Sequence, residues 1–561
     1  MNGSEQICEE LVRHGVKDVF GLLGDGNYRY LALAPDRGIA YHPARHETAA
    51  IAMADAYART TGRVGVCTVT HGPGLTHALS SLVEVRRSKS PVLFLASDTP
   101  TWPTAYSCQD VDQKALLDAI GLRTERIRAV GTVARDLARA FAEVERSGEP
   151  MALLIPTDVQ DAGCEYAPTS ISAPPFTTAP SDEDVAHLAE RLVAARRPLL
   201  LAGRGAVRPD ARDVLERLAA HADMLLGTSA LATGLFASNP FSLGVVGGYA
   251  TPATRAIIGQ ADLVIAFGAS FSTWTTLGGR IFSADATLVQ IDRDPAAIGS
   301  HAPVDIGIVA DVAGAAEALD SHVVRLRSEP RDSQRSSAMA ERIDAARRIP
   351  FEDAGTGEHI DPRTLMQRLD AMLPPQRTIT VDGGWHGTLP VQTLTVPDAR
   401  GFVFSQAYQC VGIGLGAAVG AAVGRPDRLA VLVMGDGGLS MSLGELPTAA
   451  TCGRPVLVVV LNDNAYAAEV EGLRWLGLPT DLAYLDELSF APVAEALGGQ
   501  GITVRTVDDL AALQQWLAKP SGMYLLDCRI ECPFDYGRGG EEEWIEHIWH
   551  EPVTRTRQVF D

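Results

Sequence analysis

The chain has 561 residues, 46% hydrophobic and 21% charged, with 48 Lys plus Arg against 69 Asp plus Glu and a formal charge of −21. At roughly 150 residues per domain, that length predicts three or four domains, and the apolar content excludes a disordered chain. The acidic balance excludes a surface built to hold nucleic acid, because phosphates must be neutralised by cations.

The first residues, Met1 to Glu10, lack a basic head followed by an apolar run, so no signal peptide is expected. The segment from about Ser4 to Ala167 then alternates apolar strands with helices. "VKDVFGLLG" predicts a strand entering a Gly-rich turn. "ETAAIAMADAYARTTG" predicts a helix ended by Gly62, and "VGVCTVT" a buried strand. "THALSSLVEVRRS" and "PVLFLAS" repeat the helix and the strand. Short apolar strands separated by helices predict a doubly wound parallel sheet. A Pro/Ser/Thr-rich linker, Ala167 to Asp184, follows. The second segment carries "PLLLAG", "ADLVIAFG" and "ATLVQIDRDP" as strands. Arg327 to Glu358 is charged and predicts a second, partly helical linker. The third segment carries "TITVDGG", "RLAVLVMGDGG", "RPVLVVVLNDN" and "MYLLDCRI". The expected domains are 1–167, 182–325 and 359–535, with a polar tail at 536–561. The expected fold class is α/β, with three doubly wound parallel-sheet domains. The apolar run Val411 to Val423 is too short for a bilayer, which needs about 20 residues, so no membrane partner is expected. Eight scattered cysteines lack the paired spacing of a zinc site and suit a reduced, cytoplasmic protein.

The strongest chemical signal runs from Gly435 to Tyr466. One buried strand ends at Gly435-Asp436-Gly437, the next at Asn462-Asp463-Asn464. Neighbouring parallel strands would bring Asp436 and Asp463 together at the carboxyl edge of the sheet, where such sheets bind ligands. Two carboxylates suit a hard cation such as Mg²⁺, which prefers oxygen and pairs with diphosphate. Gly435, Gly437 and Gly438 let backbone N–H groups approach an anion at the start of a helix. Glu47 opens the helix of "YHPARHETAAIAMADAYART", which by itself reads as a helix-dipole partner.

A GDG followed by an Asn-rich turn 26 residues after the aspartate resembles the thiamine diphosphate signature. The whole chain looks most like the acetolactate synthase, pyruvate oxidase and benzoylformate decarboxylase group of that superfamily. The resemblance implies thiamine diphosphate and Mg²⁺ as cofactors, with Asp436, Asp463 and the carbonyl of Ala465 as metal ligands. The family usually has Asn at the position of Asp463. Asn464 and Tyr466, on the same turn, would line the cofactor. The resemblance gives Glu47 a second role: binding the cofactor's pyrimidine ring so that its imino form can remove the thiazolium proton. Val411 falls where a large apolar side chain wedges the cofactor into a V shape. The carbonyl of Gln409 would face the pyrimidine amino group, and His386 the diphosphate side. Asp25, His71, Gln109 and Glu469 match positions that line the substrate in members of the group. The paired histidines of pyruvate decarboxylases are absent from "TAYSCQDVDQ". Acetolactate synthases and pyruvate oxidases hold FAD partly through an arginine in a G-x-R-F strand end. Here that segment reads Gly268-Ala269-Ser270-Phe271, so FAD is not expected.

The implied reaction is non-oxidative decarboxylation of a 2-oxo acid, or carboligation of the product to an aldehyde or ketone acceptor. The implied assembly is a homodimer or homotetramer with sites between subunits. The alternative is an inactive nucleotide-binding or regulatory relative on the same scaffold. Glu47 retained together with Asp436 favours the enzyme.

Overall fold

The computed structural model describes residues 1–102, 107–171, 178–207, 211–327 and 333–532. The expected tail at 536–561 lies outside them, as do residues 103–106 and 172–177. Three six-stranded sheets are present, and every pairing in them is parallel. The chain therefore adopts the expected α/β class.

The first sheet contains β1 (Asp18–Gly21), β2 (Ala40–Pro43), β3 (Gly65–Val69), β4 (Val92–Asp98), β5 (Arg123–Arg126) and β6 (Met151–Pro156), in the order β2-β1-β3-β4-β6-β5. The middle sheet contains β7 (Pro198–Ala202), β8 (Leu225–Thr228), β9 (Ser242–Val245), β10 (Leu263–Phe267), β11 (Thr287–Asp292) and β12 (Ile306–Val309), in the order β12-β11-β10-β7-β8-β9. The third sheet contains β13 (Arg377–Val381), β14 (Phe402–Phe404), β15 (Leu429–Gly435), β16 (Val456–Asn462), β17 (Gln500–Val504) and β18 (Met523–Arg529), in the order β14-β13-β15-β16-β18-β17.

Central strands such as β4, β16 and β18 are buried along their whole length, because helices cover both sheet faces. Their sequences are therefore nearly continuous apolar runs. Edge strands β2 ("AYHP") and β5 ("RTER") are half exposed and polar, so apolar pattern does not mark them. The first and third sheets share one strand order, with β13 to β18 standing where β1 to β6 stand. No sequence repeat announces this relation.

The helix Glu47–Thr61 starts at His46, whose Nδ1 accepts the Thr48 N–H at 3.2 Å, and ends at Gly62 in the left-handed region at φ 75°. It lies against the helix Gly414–Gly424 in backbone contact. A Cβ on Gly416 would sit 2.6 Å from the Ala49 carbonyl oxygen, and one on Gly420 2.0 Å from that of Met53. The Gly/Ala composition of "GLGAAVGAAVG" exists for this approach. One apolar core, including Ile51, Met53, Leu415 and Val419, runs through both domains. The charged stretch after Arg327 contains the helix Ser337–Ala346. Among the described residues no helix is long and apolar enough to cross a membrane.

Candidate active site

Strands β15 and β16 are neighbours, with Gly435 opposite Leu461. Both end at the same edge, so the residues that follow, Asp436 and Asp463, meet there. Asp436 is buried and opens the helix Asp436–Ser442. Asn464 takes a left-handed backbone, φ 53°, which folds the β16 turn back toward β15. The Asn464 N–H donates to Asn462 Oδ1 at 3.3 Å, and the N–H groups of Asn464 and Ala465 lie close enough to Asp436 to favour its charged form. Beyond them, the Tyr466 N–H donates to Ala483 at 2.9 Å and the Asn464 carbonyl accepts from Leu485 at 2.7 Å. Among the described residues the Ala465 carbonyl between them accepts no hydrogen bond. The edge thus presents two carboxylates and a free carbonyl, an oxygen donor set suited to Mg²⁺.

The electrostatics fit a cation. Burial pushes the Asp436 carboxyl up to about 6. Burial, and then the Asp436 charge beside it, pushes Asp463 up to about 8. Two carboxylates held this close lose their repulsion when a divalent ion lies between them.

Two glycines of the turn are sterically required. A Cβ on Gly437 would sit 2.7 Å from the Tyr466 ring, and one on Gly438 2.5 Å from Asp382 Oδ2. Asp382 is fully buried. It accepts the N–H groups of Gly412, Ile413 and Gly414 at 2.7, 3.1 and 3.0 Å, anchoring the helix Gly414–Gly424. Burial pushes its carboxyl up to about 7, against the pull of those bonds. This anchor fixes Val411, which stays 42% exposed beside Gly438. A large apolar side chain held uncovered beside the cation edge is what a wedge under a bound ring requires. Gln409 just before it is left-handed, at φ 62°.

His386 is buried beside Gly435, and its Nε2 has no partner among the described residues. Burial pushes its pKa down to about 4, so the ring is neutral at pH 7. The nearby backbone carbonyls of Val433 and Asp382 only partly offset that shift.

The first domain gathers its own residues at the carboxyl edge of its sheet. Glu47 follows β2 and is buried, with Oε1 near Gly74 and Oε2 3.2 Å from His77 Nδ1. The His77 ring stacks on His46 at 5.1 Å between centroids. Asp25 accepts the Thr70 hydroxyl at 2.9 Å. His71 adjoins Gly26, where an added Cβ would meet its Nδ1 at 2.9 Å, and Gln109 packs on Gly72. His71 Nδ1 and Gln109 Oε1 are buried and have no partner among the described residues. Unsatisfied buried polar atoms are uncommon, and two in one corner suit a ligand-facing wall. Glu469 stands apart on the third domain, exposed on the first turn of the helix Ala467–Trp475.

The structure therefore forms two clusters. Asp25, Glu47, His71 and Gln109 line the first sheet edge. His386, Gln409, Val411, Asp436, Asp463 and the turn to Tyr466 line the third. Among the described residues no hydrogen bond or ion pair joins Glu47, Asp25 or His71 to Asp436 or Asp463. Sequence reading missed Asp382 and His77. The first had a signal, an aspartate directly after the apolar strand of "TITVDGG". The second had none beyond its place as the fifth residue of the helix Pro73–Arg87.

A cleft of about 1490 Å³ lies between the first and middle domains, with part of its wall from the third. Arg59, Arg87, Lys89, Arg204, Arg293 and Arg400 line it, together with Ser270. Such a wall suits an anionic ligand, but Ser270 supplies no cation where flavin-binding relatives would have arginine.

Three models of the thiamine pyrophosphate enzyme match the chain: the N-terminal TPP binding domain at residues 1–116, the central domain at 185–319 and the C-terminal TPP binding domain at 382–528. The acetolactate synthase large subunit of Parasynechococcus marenigrum is 30% identical over 478 residues, covering 83% of this chain and 76% of that protein. The acetolactate synthase isozyme 3 large subunit of Escherichia coli is 29% identical, covering 90% of each. The thiamine diphosphate-dependent 4-hydroxybenzoylformate decarboxylase of Rhodococcus jostii has the same fold, with a TM-score of 0.81 over 95% of this chain and all of that one, at 21% identity.

Proposed function

This chain belongs to the thiamine pyrophosphate enzyme family, and from that premise we propose that it decarboxylates a 2-oxo acid without oxidation and delivers the remaining acyl carbon to a proton or to an aldehyde or ketone acceptor. The observation that carries this reading is the Asp436–Asp463 pair with the free Ala465 carbonyl at one sheet edge. Those three groups would hold Mg²⁺. The N–H groups at the start of the helix Asp436–Ser442 would face the diphosphate, and Tyr466 and Asn464 would close over it. Bound thiamine diphosphate supplies a carbon nucleophile that adds to the substrate carbonyl and holds the electron pair left when carbon dioxide departs. Val411 and the Gln409 carbonyl would orient the rings. Glu47 would hold a proton at the pyrimidine nitrogen, and Asp25, His71 and Glu469 would move protons at the substrate, with Gln109 orienting it. The retained Glu47 and Asp436 argue against an inactive relative.

The two clusters would meet across a two-fold interface, the first domain of one subunit facing the third of its partner. Exposed Leu23, Tyr28, Tyr408 and Val411 beside these clusters support that assembly as a homodimer or homotetramer. Eight unpaired cysteines, four of them buried, suit a reducing cytoplasm. The test is to incubate the protein with thiamine diphosphate, Mg²⁺ and a panel of 2-oxo acids, with and without aldehyde acceptors. Released carbon dioxide and new aldehydes or hydroxyketones are expected. A panel that yields neither product overturns the reading.

Flavin is not needed for this chemistry, and with Ser270 in the cleft the purified protein should be colourless. A flavin absorbance band near stoichiometric level after gel filtration would contradict this.

Asp463 makes a pH prediction. An aspartate whose folded pKa lies above its ordinary 3.8 costs stability as pH rises from there toward about 8. The metal-free protein should therefore lose stability over that interval. Asp463→Asn removes that cost and restores the commoner family ligand. Its metal-free melting temperature should exceed the parent's at pH 8, with the gap closing toward pH 4. Mg²⁺ should raise the parent's melting temperature most at pH 8. A gap between parent and variant that does not change with pH would show that the Asp463 carboxyl is not raised in the folded protein.

A further inference from the structure

We infer that Glu84 and Glu445 are reciprocal positioning residues, each reaching across the domain boundary to hold the backbone just before the other domain's cofactor-facing residues. Glu445, on the third domain, accepts two consecutive N–H groups of the first. Its Oε1 takes the Arg45 N–H at 2.8 Å and the His46 N–H at 2.7 Å, directly before Glu47. Glu84, on the first domain, accepts two consecutive N–H groups of the third. Its Oε1 takes the Ala407 N–H at 2.9 Å and its Oε2 the Tyr408 N–H at 2.6 Å, directly before Gln409.

The two clamps occupy equivalent places. Glu84 lies on the helix Pro73–Arg87 that follows β3, and Glu445 lies on the turn Leu443–Glu445 after the helix that follows β15. β3 and β15 hold the same place in their sheets. The clamped residues are equivalent too. Arg45 and His46 follow β2, and Ala407 and Tyr408 follow β14. Both carboxylates are buried at 1% and 2% exposure, and burial raises both pKa values against the pull of the N–H bonds. A buried carboxylate is costly unless its oxygens are filled. Here backbone donors fill both oxygens of Glu84 and one of Glu445, whose Oε2 has no partner among the described residues. Glu445 therefore sets where the helix of Glu47 begins. Glu84 and Asp382 hold the Gln409–Val411 segment from opposite ends.

This inference rests on the proposed roles of Glu47, Gln409 and Val411 at the coenzyme. The measurement is deuterium exchange at the thiazolium carbon of bound thiamine diphosphate, with coenzyme affinity measured in parallel. Glu445→Ala and Glu84→Ala should each slow exchange about 10²-fold, the effect of roughly a 1 Å misplacement of a reacting group. The glutamine variants separate positioning from simple destabilisation. Glu445 uses one oxygen for both N–H groups, so Glu445→Gln keeps its acceptor and should recover at least about tenfold of the loss. Glu84 uses both oxygens, so Glu84→Gln turns an NH₂ toward an N–H and should not recover. If the alanine variants fail to fold, Glu445→Gln should still exchange at least about tenfold faster than Glu84→Gln, and equal rates overturn the inference. Folded alanine variants that exchange within about threefold of the parent overturn it as well. Glu47→Gln is the control: if it too exchanges at the parental rate, the proposed function has failed rather than the clamp.

Discussion

Asp436→Ala is expected to abolish retention of thiamine diphosphate while leaving the fold intact. Altering groups that merely orient a metal ligand typically weakens metal affinity about 10–100-fold, and loss of a direct carboxylate ligand should exceed that. The N–H groups of Asn464 and Ala465 also lie against Asp436, so its removal loosens the turn that presents Asp463 and the Ala465 carbonyl. Ligand and scaffold are lost together. The stability cost is smaller. Asp436 opens a helix, and a carboxylate there contributes about 0.3–1 kcal/mol. Its loss also relieves the repulsion with Asp463. Against a typical stability of about 5–15 kcal/mol the variant should fold. Titration calorimetry with Mg²⁺ and thiamine diphosphate should show no binding heat, with an unchanged circular dichroism spectrum. Parental affinity would remove Asp436 from the site.

Glu47→Gln is expected to leave coenzyme affinity nearly unchanged and to collapse its activation. The proposed metal edge and the helix start on the third domain would supply the main anchor, and this change does not touch them. Glutamine keeps the size and one acceptor oxygen but cannot take the proton. General acid–base groups contribute about 10²–10⁴-fold, or roughly 3–5 kcal/mol of barrier. Thiazolium deuterium exchange should slow by that factor, and turnover of any accepted 2-oxo acid should follow. Exchange needs no knowledge of the substrate, so it tests the residue alone. Parental exchange with coenzyme bound would reduce Glu47 to the first residue of a helix.

His77 bears on how this variant is read. It lies 3.2 Å from Glu47 Oε2 in the single chain, so Glu47→Gln also weakens a charged contact there. That side chain is 57% exposed, and exposed pairs contribute only about 0–1 kcal/mol. The contact is too weak to account for a loss of several orders of magnitude.

The α/β architecture was legible in the sequence, and so were the residues proposed for half of the candidate site. Buried parallel strands are covered on both faces, so β4, β15, β16 and β18 are written as apolar runs that need no tertiary information to read. The turns after β15 and β16 carry Asp436 and Asp463 at the ends of those runs, which placed them at one edge. Glu47 was legible only through family likeness, because a glutamate opening a helix has the same local pattern whether or not it meets a ligand. The edge strands β2 and β5 were not legible, because a half-exposed strand of four residues has no apolar signature. How the candidate site is held in place came from the fold alone. Asp382 stands after an apolar strand as Asp436 does, but only the fold puts three N–H groups on it. Glu84 and Glu445 read as solvated helix glutamates, yet each binds backbone far away in the chain, 323 and 400 residues distant. The physical reason is that a carboxylate accepting backbone N–H groups depends on where its partners lie in space and hardly on what they are. Any residue type offers the same N–H, so the partners leave no mark in the sequence.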